Sequence, residues 1–217
     1  MSADAWVLLG ESLLETLYMV IVSGLVSALL GIPLGVLLHV TRPGQILERK
    51  VLNQLLGIVV NATRSVPFII LMVAIIPLTR LIAGTSIGTT AAIVPLALAS
   101  IPFVARIAEG ALNEVSSGLV EAAQSMGATP LQIISRVMLP EALPGLINGL
   151  TLTLVTLVSY SAMAGAIGGG GLGDLGIRYG YQRFDGVIML VTVAVLILLV
   201  QLIQSAGEKL QAHFEHK

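Results

Sequence analysis

Four stretches of this chain each run for more than twenty residues without a charged side chain: Thr16 to Thr41, Leu81 to Ala105, Ala142 to Gly173 and Gly186 to Gly207. A helix needs about 20 apolar residues to cross the hydrocarbon of a bilayer. A fifth stretch, Val51 to Thr79, is interrupted by Arg64. Nine Val, Ile, Leu or Phe residues follow it between Ser65 and Thr79. Each contributes about −0.3 to −0.6 kcal/mol to insertion, against about +3 kcal/mol for a central arginine, so insertion is still favoured. Only 11% of residues are charged, where a soluble domain has about 25%. The expected fold is an all-α integral membrane protein with five transmembrane helices, in one domain over 12–207, with spans at about 14–41, 52–80, 86–108, 141–165 and 186–206.

Five spans place the termini on opposite sides. One side collects Arg42, Arg49, Lys50, Arg106, Arg136, Lys209 and Lys217; the other holds Arg80, Arg178 and Arg183. The positive-inside rule then puts the C-terminus in the cytoplasm and the N-terminus outside. The leading segment carries Asp4, Glu11 and Glu15 and no basic residue, so the first apolar stretch is expected to be retained rather than cleaved. Basic residues do not cluster, which argues against a nucleic-acid surface. The chain has no cysteine, and hence no disulfide or thiolate chemistry.

Ser27, Gly31 and Gly35, and again Gly145 and Gly149, recur at the spacing that lets helices approach closely in lipid. Ordinary packing within the chain is the favoured reading. Pro33, Pro77, Pro95 and Pro102 should kink their helices.

One water-compatible stretch stands out between the spans, the loop 116–140. Ser116, Ser117 and Gly118 can open a short helix, with Glu121 expected in its first turn against the positive helix end. Gly127 suits a left-handed stop. Thr129, Pro130 and Gln132 spell a capping box for a second helix. Ile133, Ile134, Val137 and Met138 give that helix an apolar side, and Leu139-Pro140 should end it before the next span. A hairpin lying on the lipid surface would carry more basic residues than the single Arg136. Docking of a protein partner is favoured.

The order Glu121-Ala122-Ala123, then Gly127, then Val137 and Leu139-Pro140, resembles the signature loop of ABC importer permeases of the type I fold. Those permeases often have Ile where Val137 stands. Arg64-Ser65-Val66-Pro67-Phe68, Ser159-Tyr160-Ser161-Ala162-Met163, the glycines from Gly168 to Gly173 and Tyr179-Gly180-Tyr181 look like the methionine-importer branch. The resemblance implies a permease subunit in the bacterial cytoplasmic (inner) membrane, importing an amino acid, methionine in particular. It implies a homodimer, two cytoplasmic ATP-binding subunits and an extracytoplasmic solute-binding protein as partners. The loop would be the ATPase-coupling element, through Glu121, Ala122, Ala123, Gly127, Ala128, Leu139 and Pro140. A permease for a polar amino acid or a quaternary amine is the alternative.

The residues themselves agree that the engine lies elsewhere. No lysine precedes Ser or Thr, so there is no P-loop, and ATP and Mg are expected on a partner. None of the five runs has an interior Asp or Glu of the kind ion-driven carriers keep. An intramembrane enzyme would need a Ser/His pair or clustered aspartates, and neither pattern is present. Five helices are few to enclose a solute path, and a second copy would supply ten. No cofactor or metal site is expected in the chain. His39 has no second ligand nearby, and Gly171 to Gly176 fits the G-x-G-x-x-G pattern without the strand that would give it meaning. Thr153, Thr156 and Tyr160 share one helix face, with Met163 beyond them. That face is the candidate passage lining, against the simpler reading of helix–helix hydrogen bonding. Arg64 is expected to snorkel or to cap backbone carbonyls at the inner interface, the alternative being a place on the path where it meets a substrate carboxylate. Arg178 and Arg183, with Tyr179 and Tyr181, serve equally well as a partner contact or an interfacial anchor.

Overall fold

The computed structural model describes residues 3–215, and its regular structure is helical. Lys217, counted among the inner-side charges, lies outside the described residues. The order is α1 (Ala3–Val40), α2 (Lys50–Arg64), α3 (Phe68–Ala74), α4 (Ile76–Ala83), α5 (Thr89–Asn113), α6 (Ser117–Ser125) and α7 (Pro130–Ile133). A wide π-helical turn, Ile134–Met138, leads into α8 (Leu139–Glu141) and α9 (Leu143–Gly165). α10 (Gly171–Leu175), a second π-helical turn (Gly176–Tyr181) and α11 (Gly186–Phe214) complete the chain.

Among the described residues four helices, α1, α5, α9 and α11, are each long and apolar enough to cross a membrane. A fifth crossing exists only if α2 and α3 are taken together, and they meet at 100°. The expected span 52–80 is therefore not one straight helix. Pro67 has no N–H to donate and pushes the residue before it out of helical geometry. α2 ends at Arg64, and Pro67 itself is extended, with ψ 136. The prolines expected to kink behave differently. Pro33, Pro95 and Pro102 lie inside continuous helices, and Pro77 sits in the first turn of α4, where its missing donor has no helical partner to lose.

α5 is the pole of the bundle: 56% of its apolar window is buried, against 17% for α11. α1 and α9 both lie along it, and glycine sets the spacing. A Cβ at Gly35 would stand 2.4 Å from the Ala105 carbonyl oxygen, and one at Gly149 would stand 1.9 Å from Ile107 Cγ2. Ser27 Oγ, on the same α1 stripe, bonds the Ser23 carbonyl and reaches the Ala97 carbonyl of α5 at 3.3 Å. The small-residue stripes are thus spent within the chain. Close backbone approach substitutes here for the hydrophobic drive that helices lack in lipid.

Gly35→Leu should cost about 1–3 kcal/mol through overpacking. The expected result is a lower Tm and loss of a monodisperse peak in detergent. Gly10→Leu is the control, because nothing lies within 4 Å of a Cβ there, and it should change neither.

Candidate functional site

The loop after α5 folds as a compact two-helix knob. Ser116 takes the N-cap position of α6 without a side-chain cap bond. At the other end Gly127 adopts φ +79. Its N–H donates to the Gln124 carbonyl at 2.9 Å, and the Ala128 N–H donates to the Ala123 carbonyl at 3.1 Å. Those two bonds make a Schellman stop, which needs a left-handed residue where Gly127 stands. Thr129 then caps α7: Gln132 N–H donates to its Oγ1, and Thr129 N–H donates to Gln132 Oε1 at 2.9 Å. The stop of α6 and the start of α7 are both closed by the knob's own residues.

Two features differ from the sequence expectation. α6 begins at Ser117 and has no acid in its first turn. Glu121 therefore lies in the second turn, exposed, with no ion-pair partner among the described residues. The positive helix end lies a turn away and does not hold its carboxylate. Nor does Leu139-Pro140 end the second helix. Pro140 falls at the start of α8, and Ile134, Met138 and Leu139 all hold right-handed helical dihedrals. The π-helical turn absorbs the proline, and the chain runs on toward α9.

The knob is rooted in the bundle. Ala123, Ile133 and Met138 are buried with Ala108 and Leu112 of α5 and Leu146 of α9. Its outer surface is apolar at the tip: Met126 is 81% and Leu131 74% exposed. Sequence reading passed over both, because it scored the inward side of the helix. The signal was present, as two large apolar residues on the polar side of an amphipathic loop. Between α6 and the ends of α1 and α5 lies a cleft of about 490 Å³, lined by Glu121, Gln124, Ser117, Asn113 and Gln45 among others.

Beside the knob the C-terminal ends of α1, α2 and α5 are tied by a polar cluster. Glu109, buried in α5, pairs with Arg106 at 2.5 Å and with Arg42 at 3.8 Å. Asn113 Oδ1 accepts from Arg42 and stands 2.9 Å from His39 Nδ1. Arg106 also donates to Asn61 of α2 at 2.8 Å. A carboxylate absent from the expected spans thus sits just past the 86–108 boundary, neutralised by two guanidinium groups. The pair Arg106 and Glu109, one helical turn apart, is the sequence signal that could have revealed it.

The proposed lining residues divide. Thr153 is buried at 1% exposure, and its hydroxyl donates to the Gly149 carbonyl at 2.8 Å. Thr156 is half-buried and donates to the Leu152 carbonyl at 2.8 Å. Tyr160 lies flat on Phe68 of α3, with ring centroids 4.5 Å apart and planes within 2°. Met163 is 38% exposed. The open face of α9 is therefore Leu152, Thr156, Ser159 and Met163, with Tyr160 at its edge. Arg64, exposed at the bend, lies 5.9 Å from the Phe103 ring centroid.

The glycine run is neither strand-linked nor free. Gly171 N–H donates to Glu15 Oε2 at 2.7 Å, and Leu172 N–H donates to Thr16 Oγ1 at 2.9 Å. The amides a pyrophosphate would need are already taken by α1. A Cβ at Gly173 would stand 2.4 Å from the Ala162 carbonyl oxygen, so the run serves close packing against α9.

Residues 31–215 match the family model described as the inner membrane component of binding-protein-dependent transport systems. A probable D-methionine transport system permease protein of Vibrio cholerae serotype O1 is 63% identical over 217 residues, covering 98% of this chain and 96% of that one. Its counterpart in Pasteurella multocida is 50% identical, with both chains fully covered. Among solved structures, a chain of the MetNI methionine ABC transporter in an inward-facing conformation superposes with TM-score 0.98 at 51% identity, covering 100% of both chains. The chain belongs to the family of inner membrane components of binding-protein-dependent transport systems.

Proposed function

We propose that this chain is the membrane-spanning permease subunit of an ATP-driven importer for methionine. Two copies form the passage, and two cytoplasmic ATPase subunits, which carry ATP and Mg, grip the knobs. A solute-binding protein delivers cargo on the opposite face. The chain lies in the bacterial cytoplasmic membrane, with its N-terminus outside and its C-terminus inside. No bond is made or broken by its own residues.

The observation that carries this reading is the build of the knob. Its tip is exposed and apolar at Met126 and Leu131, while its base is packed into α5 and α9. Exposed apolar residues on an otherwise polar loop mark a contact surface. Force on the tip passes through Ile133 and Met138 into the foot of α9, the helix that carries Thr156, Tyr160 and Met163. Gly127 fixes the angle between the two short helices, Ala123 and Ala128 supply a bond that closes it, and Glu121 faces the cytoplasm on the cleft rim. Ala122, Leu139 and Pro140 complete the coupling set, and the Leu139–Glu141 turn carries the motion on without a break. On this reading the open face of α9 lines the passage. Thr153 joins it only if α1 and α9 separate.

Reconstitution tests the whole. Vesicles holding this chain, the ATPase and the binding protein should accumulate methionine when ATP is supplied. Uphill uptake or ATP hydrolysis by this chain alone would refute the reading.

Met126→Asp or Leu131→Asp should weaken ATPase binding about tenfold or more, as loss of an interfacial anchor does. The measurement is the amount of ATPase recovered on co-purification. Gly127→Val, which forces a β-branched residue to φ +79, should lower recovery and abolish transport-coupled hydrolysis, because the left-handed region costs an L-residue about 1–2 kcal/mol.

The chain has no native cysteine, so single cysteines report cleanly. Thr156→Cys and Met163→Cys should react with a water-soluble thiol reagent during turnover, and Thr153→Cys should stay protected at rest. Protection of all three throughout the cycle would remove α9 from the passage wall.

A further inference from the structure

At the end of the bundle away from the knob, α3, α4, α5 and the turn after α9 enclose a cavity of about 350 Å³. Met72, Ala92 and Ala164 are its buried walls, and Ile87 and Ile167 stand exposed at its rim. The Gly88 N–H donates to the Gly168 carbonyl at 2.9 Å and ties two sides of that rim together. Phe68 and Tyr160, the stacked pair, lie one helical turn before Met72 and Ala164. The cavity therefore adjoins the open face of α9, where Met163 precedes Ala164.

Its polar groups are the unusual part. A threonine inside a helix commonly donates to the carbonyl four residues back. Thr63, Thr151, Thr153 and Thr156 all do so here. Thr79 lines the cavity at 4% exposure and does not: its Oγ1 is buried without a hydrogen-bond partner. Folded proteins seldom leave such a group unpaired. Pro95 has no N–H to give the Ala91 carbonyl four residues back, and both residues line the same cavity. At the mouth, Arg80 Nε donates to Ser86 Oγ at 3.2 Å. The exposed Arg80 guanidinium has no ion-pair partner among the described residues.

We infer that this cavity is a site within the subunit for an apolar α-amino acid. The inference deepens the importer reading under Proposed function and rests on it. Arg80 offers a fork of N–H donors to the α-carboxylate. Thr79 Oγ1 and the Ala91 carbonyl accept from the ammonium group, and the apolar walls take the side chain. Mostly apolar walls with a few polar groups are what small-molecule sites of this size have. Met72 adds a polarizable thioether that adapts to a flexible chain. Other occupants fit less well. An acyl chain brings no hydrogen-bonding group and leaves the Thr79 hydroxyl unpaired. A water needs two to four polar partners, which the walls at Met72, Ala92 and Ala164 do not offer. A second copy packed on the rim covers Ile87 and Ile167 but leaves the recessed Thr79 as it was.

The test uses the full complex, this chain with its ATPase in lipid nanodiscs, and a methionine analogue carrying a diazirine on its side chain. Labelling under light should fall within 72–95 and 164–169, the segments that line the cavity, and excess methionine should abolish it. Thr79→Val removes the hydroxyl at nearly equal volume and should reduce labelling about tenfold. Arg80→Gln should do the same, and Ile76→Trp, which fills the cavity, should abolish it. Because the Thr79 hydroxyl bonds nothing in the protein, Thr79→Val should hold or raise Tm. A fall in Tm alongside lost labelling makes the hydroxyl structural and overturns the inference. Equal labelling of Thr79→Val and the unsubstituted chain overturns it too. So does labelling of the cavity by a diazirine-tailed phospholipid that methionine does not displace. If the complex accumulates methionine with ATP and binding protein yet neither segment is labelled, the inference fails and the importer reading stands. If the unsubstituted complex accumulates none, the importer reading falls, and this inference with it.

Discussion

Hydrocarbon offers no hydrogen-bonding partner and little reason for apolar surfaces to prefer one another over lipid, so helices in a bilayer are held together by how closely their backbones can approach. In this protein that condition is met at α5. Gly35 of α1 and Gly149 of α9 both lie where any side chain would collide with α5. The rest of the structure hangs on those two seams. They set the direction of α9, they bring α5 and α9 together beneath the knob, and they hold the C-terminal ends of α1 and α5 close enough for Glu109 to meet Arg42 and Arg106.

The knob gains its mechanical character from the same arrangement. A loop with unsatisfied turns would bend under load before it moved anything. Here the Schellman bonds at Gly127 and the reciprocal bonds at Thr129 and Gln132 leave no slack between α6 and α7. Ile133 and Met138 seat the knob on the bundle, since both are almost fully buried with residues of α5 and α9. At the other end of the bundle Glu15 and Thr16 of α1 cap α10, so that turn is fixed to α1 as the knob is fixed to α5 and α9.

Much of this was legible from residue order, because it depends on local chemistry. The glycine stop, the capping box and the small-residue stripes are short-range signals, and each lies where the pattern placed it. What could not be read depended on three-dimensional neighbours. Ser116, Ser117 and Gly118 can each open α6, and Glu121 is a first-turn residue only for the later starts. The helix beginning at Ser117 moves the carboxylate away from the dipole. Pro140 looked like a terminator, but a π-helical turn can accommodate a ring that an α-helix would reject. Thr153 and Thr156 share a face by periodicity, yet α1 covers only the first of them, near Gly24 and Ala28. The stack of Tyr160 on Phe68 joins residues far apart in sequence, and no spacing rule announces it.

The right-angled break between α2 and α3 divides the molecule into two environments. α3 starts at Phe68 without a side-chain cap, so the peptide groups around Ser65 to Pro67 keep part of their polarity. Such backbone is tolerated at membrane depth only against protein or beside trapped water, never bare to acyl chains. α11, continuous over 29 residues and the least covered of the long helices, has no such restriction. The two elements therefore meet lipid on different terms: α11 can face acyl chains along its apolar length, whereas the exposed Val51, Leu55, Ile58 and Ile70 of the broken pair can do so only where the bend between them is covered.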